Sequence, residues 1–282
     1  MRNHQPDAYF CYTEFMNKLN LDTENFESRV TQGVVVARFK AQAMDILTDI
    51  DAGSSFLDFL DRVNDETDLP GYVQVNDGAW DSQTDVDKLS QFFTDNEETH
   101  VRHGRVYGYL HEVVAARFRN TIGRYLRTLV FFSKPIVAGL QGQISAEYLG
   151  LALAFDARFA AANTTFSFDN VRSGIPASPG ITQLMPRYIG LGRALAFANQ
   201  GETIDAEQAL ELGLITGIID DGQELAQVCV EYIQTLSSHH REILQSNRQS
   251  ILPSAGDIST ALDEYYASMA KVITSRRART QS

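Results

Sequence analysis

The chain has 282 residues, 44% of them hydrophobic, enough for one α/β core with an appendage. Its 36 acidic against 24 basic side chains give a formal charge of −12, which argues against nucleic acid or an anionic membrane as the main partner, since both need a basic surface. Cys11 and Cys229 form neither a disulfide framework nor a metal-ligand spacing, and no uncharged run of about 18 apolar residues occurs, so a soluble cytoplasmic protein is expected.

Residues 1 to about 30 read as a polar N-terminal extension, and GVVVARF (33–39) is the first β-branched strand. From Ala43 to Asp65 the apolar positions Ile46, Leu47, Ile50, Phe56, Leu57, Leu60 and Val63 fall near helical spacing, with a break at Gly53. A Pro70–Gly71 turn leads into the strand YVQVN (72–76), and the turn formers of DGAWDSQTDVDKL pass into a helix near Asp85. Residues 90 to 130 read as mostly helical, with His100, His103 and His111 followed by an arginine-rich half.

Strand 136–140, a polar break at Gln141–Ser145 and a helix opening near Ala146 come next, then two short strands and a Gly/Pro-rich loop. A strand that delivers a helix N-terminus to a cleft makes an oxyanion site, because the first-turn N–H groups lack partners inside the helix. Further helices are expected over 182–199 and 205–212, the second with Asp205 and Gln208 as a capping box and Gly213 as its stop. Two more, at 224–238 and 258 to about 275, close the chain. Strands separated by helical segments indicate a parallel sheet layered with helices.

The segment KPIVAGLQGQISAEYLGLALAFDARFAAANTTFSFDNVRSGIPASPGITQ (134–183), followed by GETIDAEQALELGLITGII (201–219), resembles the crotonase superfamily of enoyl-CoA hydratases and isomerases. The likeness runs roughly from 33 to 260; GVVVARFKAQAMDIL is similar to that family's opening strand and CoA-binding turn, and GAWDSQTDVDKL to its first oxyanion loop. It implies an α/β spiral of ββα units over residues 31–220 and a C-terminal helical oligomerisation region over 221–282. It also implies a homotrimer or dimer of trimers, and an acyl-CoA thioester as substrate. Coenzyme A would enter as part of that substrate, with no covalently bound cofactor and no metal. Two backbone N–H groups would polarise the thioester carbonyl and hold an enolate.

Carried over by the resemblance, the first N–H falls on Thr84 and the second on Glu147, in a run Ala146-Glu147-Tyr148 where the family has three glycines. The family's two catalytic glutamates fall on Gly150 and Asn170. Glycine has no side chain to titrate and an amide is no general base, so ordinary enoyl-CoA hydration is not expected. Isomerisation, decarboxylation, and C–C or thioester hydrolysis remain, as does an inactive binding or scaffold subunit. Asp169 is one candidate base and Glu147 a candidate acid, since a carboxylate three residues before 150 shares its helix face. Contacts to substrate or CoA fall on Lys40, Ala43, Asp85, Gly142 and Arg172.

Plainer readings stand beside these. With Ser145 as N-cap, Glu147 sits where the helix dipole favours an acid by about 0.3–1 kcal/mol. Arg172 could pair with Asp169, Lys40 could be a solvated lysine, and Tyr107 and Tyr109 could be packing residues. Three histidines without a clustered carboxylate are weak evidence for a metal. Gly190-Leu191-Gly192 reads as a helix-associated turn, not a dinucleotide loop.

Overall fold

Period-two alternation along the β-branched segments decides which face each strand gives to which layer. The computed structural model describes residues 18–40, 44–76, 81–85, 87–89, 101–102, 105–106, 116–220 and 222–280. In its larger sheet, β1 (Leu21–Asp22), β2 (Phe26–Thr31) and β3 (Val34–Phe39) pair antiparallel. The sheet continues in parallel through β4 (Tyr72–Asn76), β7 (Ile136–Leu140), β9 (Ala157–Ala161) and β12 (Gly217–Ile219). Between β4 and β7, the strands β5 (Val101–Arg102) and β6 (Arg105–Val106) pair antiparallel with each other. A three-stranded sheet joins β8 (Gln143–Ser145) in parallel to β10 (Thr165–Ser167), which pairs antiparallel with β11 (Thr203–Asp205).

The helices are α1 (Asp45–Thr48), α2 (Ile50–Asp65), α3 (Ile122–Val130), α4 (Ala146–Ala152) and α5 (Pro179–Ile189). After them come α6 (Leu191–Gln200), α7 (Ala206–Glu211), α8 (Leu225–Ser237), α9 (Arg241–Ile251) and α10 (Ala255–Thr280). On one face of the large sheet, Val34, Val36, Val73, Val75 and Val137 meet Leu225, Cys229, Val230 and Ile233 of α8. Their alternates Val35, Ala37, Phe39, Tyr72, Ile136, Ala138 and Leu140 face the main core with α2, α3 and α4. No helix among the described residues is long and apolar enough to cross a membrane.

Several expectations need correcting. Residues 26–31, most of which fall in the expected extension, form a strand between β1 and β3: Phe26 and Ser28 turn inward while Arg29 stays exposed, in a segment that composition alone marks as polar. The break in the first helical region falls at Asp49, not Gly53, because Asp49 is extended and its carboxylate accepts from the N–H groups of Asp51 and Ala52 at 2.9 Å. Val101–Arg102 and Arg105–Val106 are paired strands, not parts of a continuous helix. The expected helix 182–199 is two, divided at Gly190, whose φ of 80° no continuous helix accommodates. Helix α9 was not expected; its sequence REILQSNRQSI is polar, and its buried anchor is a charged side chain, Arg248. The capping box forms as expected, with Gln208 N–H to Asp205 at 2.8 Å and Asp205 N–H to Gln208 at 3.1 Å.

Candidate active site

Helix α4 is held at its start by two distant segments. Beyond β7, the backbone N–H of Gln141 donates to Asn76 Oδ1 at 2.9 Å, and Asn76 Nδ2 donates back to the Gln141 carbonyl at 2.6 Å. This ties the end of β7 to the end of β4. Gly142 then turns the chain at φ 83°, and its carbonyl accepts from Thr165 N–H at 3.0 Å, beside the first β8–β10 pair. Ser145, with extended backbone, caps α4. Its Oγ accepts from Tyr148 N–H at 3.3 Å and donates to Asp85 Oδ2 at 2.6 Å.

The same bond docks the helical turn at 82–85, in agreement with the helix expected near Asp85. There Asp81 accepts from Gln83 N–H at 3.1 Å and from Thr84 Oγ1 at 3.0 Å, which leaves Thr84 exposed and Asp85 only 3% exposed. Thus the segments carrying Thr84 and Glu147 are joined through their neighbours Asp85 and Ser145. Asp85 was expected among the CoA contacts; the structure buries it at this junction because Ser145 needs an acceptor there.

Glu147 is 4% exposed, and neither carboxylate oxygen has a hydrogen-bond partner among the described residues. Burial pushes its carboxyl up to about 7, opposed by the residue's own backbone N–H, with the negative charge of Asp85 a smaller contribution to the rise. Tyr265 of α10 lies within reach of that charge: burial first, then Glu147, raises its hydroxyl far above the ordinary range. Tyr265 also lines a cavity of about 400 Å³ with Ile175, Ala177, Thr182, Leu195 and Ala261.

Positions 150 and 170, on which the resemblance places the family's glutamates, have different surroundings. A Cβ on Gly150 would lie 2.8 Å from the backbone nitrogen of Ile181 and 2.9 Å from Ser178 Oγ, and a Cβ on Gly180 would lie 2.3 Å from Gly150's carbonyl. Here α4 and α5 touch through their backbones, so position 150 has no room for a side chain of any kind. Asn170, 1% exposed, donates from Nδ2 to the Ile175 carbonyl at 2.9 Å, while its Oδ1 and the buried Ser178 Oγ have no partner among the described residues. Asp169 accepts from Ser167 Oγ at 2.7 Å and stands 3.7 Å from Arg172, which is 70% exposed. The local pairing of Arg172 with Asp169 is therefore what forms.

Lys40 donates to Asp22 Oδ1 at 2.6 Å and to the Thr23 carbonyl, and so binds β3 to the N-terminal strands. Ala43, His100, His103, Tyr107, Tyr109 and His111 lie outside the described residues. Among the described residues no three His, Cys, Asp or Glu side chains gather as metal ligands would. Ser178, Tyr265 and the link between Ser145 and Asp85 were not singled out from the sequence; only the N-cap role of Ser145 had a local signal.

A family model described as enoyl-CoA hydratase/isomerase matches residues 108–276, more than half of the chain. The chain belongs to the enoyl-CoA hydratase/isomerase family. Similar relatives include a protein named "Probable enoyl-CoA hydratase" from Bacillus subtilis (strain 168), 34% identical over 125 residues, which are 42% of this chain and 48% of the relative. Another is the (E)-benzylidenesuccinyl-CoA hydratase of Thauera aromatica, 32% identical over 117 residues, 42% of this chain and 45% of the relative. The matched stretch thus spans about half the length of these relatives. Among solved structures, an enoyl-CoA hydratase from Bacillus halodurans superposes with a TM-score of 0.72 at 17% identity, covering 89% of this chain and 95% of the other. The fold of this family member is the crotonase fold, and within it Gly150, Asn170 and Glu147 have the surroundings described above.

Proposed function

We propose that the chain acts on an acyl-CoA thioester by one-carboxylate chemistry, with Glu147 as the acid/base and the backbone N–H groups of Thr84 and Glu147 as the oxyanion hole. The observation that carries this reading is the buried carboxylate of Glu147 at the start of α4, without a hydrogen-bond partner among the described residues. A group held near 7 is populated in both forms at neutral pH, so one residue can take a proton and return it. A double-bond shift needs no more. Glu147 removes the proton at the α-carbon, the C–H electron pair becomes the dienolate, the oxyanion rests on the two N–H groups, and neutral Glu147 redelivers the proton at the γ-carbon. Once Glu147 has taken the proton it no longer repels the enolate. Both of its oxygens are closed off from solvent, so a thioester reaches them only when Tyr265 or its surroundings give way.

Hydration across a double bond is disfavoured in this reading because Gly150 is packed against Gly180 and Asn170 cannot titrate. The same two observations favour a second reading, a catalytically inactive member that binds or scaffolds. The exposed Leu191, Leu195, Ile243 and Ile251 support oligomeric contacts through the C-terminal third under either reading.

The test is turnover of a panel of 2-enoyl-, 3-enoyl-, malonyl- and β-ketoacyl-CoA thioesters by the wild type and by Glu147→Gln. We expect wild-type conversion of a 3-enoyl thioester, falling about 10²- to 10⁴-fold in the variant. Turnover that survives the change removes Glu147 as the acid, and binding of CoA thioesters without turnover of any of them selects the inactive reading.

A further inference from the structure

At the opposite end of β7 from Glu147, the described residues line a cavity of about 260 Å³. Lys134 precedes β7 and Asp156 precedes β9, so the cavity lies where these parallel strands begin, whereas the candidate active site lies beyond the far end of β7. Its walls are mostly apolar: Phe155, Leu236 of α8, Leu244 and Ile251 of α9, and the rings of Tyr188 and Tyr232. The volume falls just under that of ordinary small-molecule pockets, about 300–1,000 Å³, and suits a molecule of roughly ten non-hydrogen atoms.

Three charged side chains, Lys134, Asp156 and Arg248, also line it. Asp156 is already engaged: one oxygen accepts from Arg248 and the other from Ile136 N–H at 2.7 Å. Lys134 donates to the carbonyls of Val63 and Asn64, which are neutral. Burial, with the charge of Arg241 adding to it, brings its ammonium down to about 8 against smaller pulls from Glu66 and Asp65. Arg248 is 7% exposed, and although its Nη2 donates to the carbonyls of Leu129 and Ala154, its Nε has no partner among the described residues. A buried guanidinium nitrogen without an acceptor is costly, and two cations against one engaged carboxylate leave the lining one negative charge short. An apolar body carrying a single carboxylate answers both. A phosphate is a poorer match, because its nearly two charges call for a cluster of cations, whereas these two are each already held by carbonyls.

We propose that this cavity is a binding site for a small amphipathic monocarboxylate, an aliphatic or aromatic acid of roughly ten non-hydrogen atoms, with Arg248 and Lys134 neutralising the carboxylate and its body lying between α8 and α9. The site is separate from Glu147 and does not depend on the reading of that residue as the acid/base.

The experiment titrates octanoate, below its micellar concentration, into the ligand-free 282-residue chain, with octanamide, octylamine and inorganic phosphate as matched probes. Calorimetry gives the affinities, and ¹³C-methyl NMR of the isoleucine and leucine side chains gives the place. We expect saturable one-site binding of octanoate, about 10-fold or more tighter than that of octanamide or octylamine, with the largest shifts at Leu236 and Ile251. Leu244→Trp, which fills the cavity, should weaken octanoate about 10-fold or more; where it does not fold, the smaller Leu244→Phe gives the same readout. Arg248→Lys, which keeps the charge and loses the Nε donor, should weaken octanoate about 10-fold and leave octanamide unchanged. Glu147→Gln should bind octanoate as the wild type does. Absence of saturable binding, equal affinity for octanamide or octylamine, or tighter binding of phosphate overturns the proposal. So does octanoate binding that survives the filled cavity or is lost in Glu147→Gln, since either places the ligand elsewhere.

Discussion

Strand β7 has a buried charged group at each end, and the two are treated in opposite ways. Before its start, Arg248 of α9 donates to Asp156 and, at 2.7 Å, to the carbonyl of Ala154, while the other Asp156 oxygen accepts from Ile136 N–H at 2.7 Å. Lys134 beside it donates to the Val63 carbonyl at 2.9 Å and to that of Asn64 at the end of α2. Beyond its far end, through β8 and into α4, Glu147 is as deeply buried and has no partner for either oxygen among the described residues. A buried charge that is paired and bonded holds elements together. One left unpaired costs stability and persists where another use offsets that cost.

The comparison can be broken from either end. The largest effect on stability is expected at the paired end: Arg248→Met leaves Asp156 and its carbonyl partners without their donor and should cost about 3–5 kcal/mol in urea unfolding, with turnover per folded molecule retained. At the unpaired end the effect is on pH dependence. Glu147 titrates at about 7 in the fold against 4.5 when free, so the folded chain holds a proton that the unfolded chain gives up between those values. The stability it contributes is full below about 4.5, declines as pH rises, and is lost once pH passes 7, about 3 kcal/mol in all. Unfolding free energies at pH 5 and pH 8 should therefore differ by most of that amount more in the wild type than in Glu147→Gln.

A smaller cost is expected at the backbone contact between Gly150 and Gly180. Gly150→Ala places a methyl 2.8 Å from the Ile181 nitrogen, and parting α4 from α5 should cost about 1–3 kcal/mol, read as a lower urea midpoint. The smallest is at Asp169, whose 3.7 Å contact with Arg172 is exposed. Asp169→Asn should change stability by less than about 1 kcal/mol and leave turnover within a few-fold; a loss as large as that of Glu147→Gln would transfer the acid's role to Asp169.

Much of the scaffold was legible where the signal is local. The β-branched run GVVVARF and the alternation of YVQVN gave two strands of the large sheet, and Asp205-x-x-Gln208 gave a helix start. Strand β2 and helix α9 were missed for a shared reason: each is polar in composition and owes its place to a few inward residues, Phe26 and Ser28 in one and Arg248 in the other. At the site, the sequence marked Glu147, Gly150 and Asn170 as departures but could not say what surrounds them.

Hydrophobic periodicity and capping are properties of neighbours along the chain, so the amino-acid order by itself determined the first strands of the parallel sheet, most of the helices and the N-cap at Ser145. The acceptor for that N-cap's proton lies 60 residues away at Asp85, the group filling the space beside Gly150 comes from α5, and Tyr265 approaches Glu147 from α10. A carboxylate's proton affinity depends on burial and on charges within a few ångströms, and only the tertiary structure decided which residues those are.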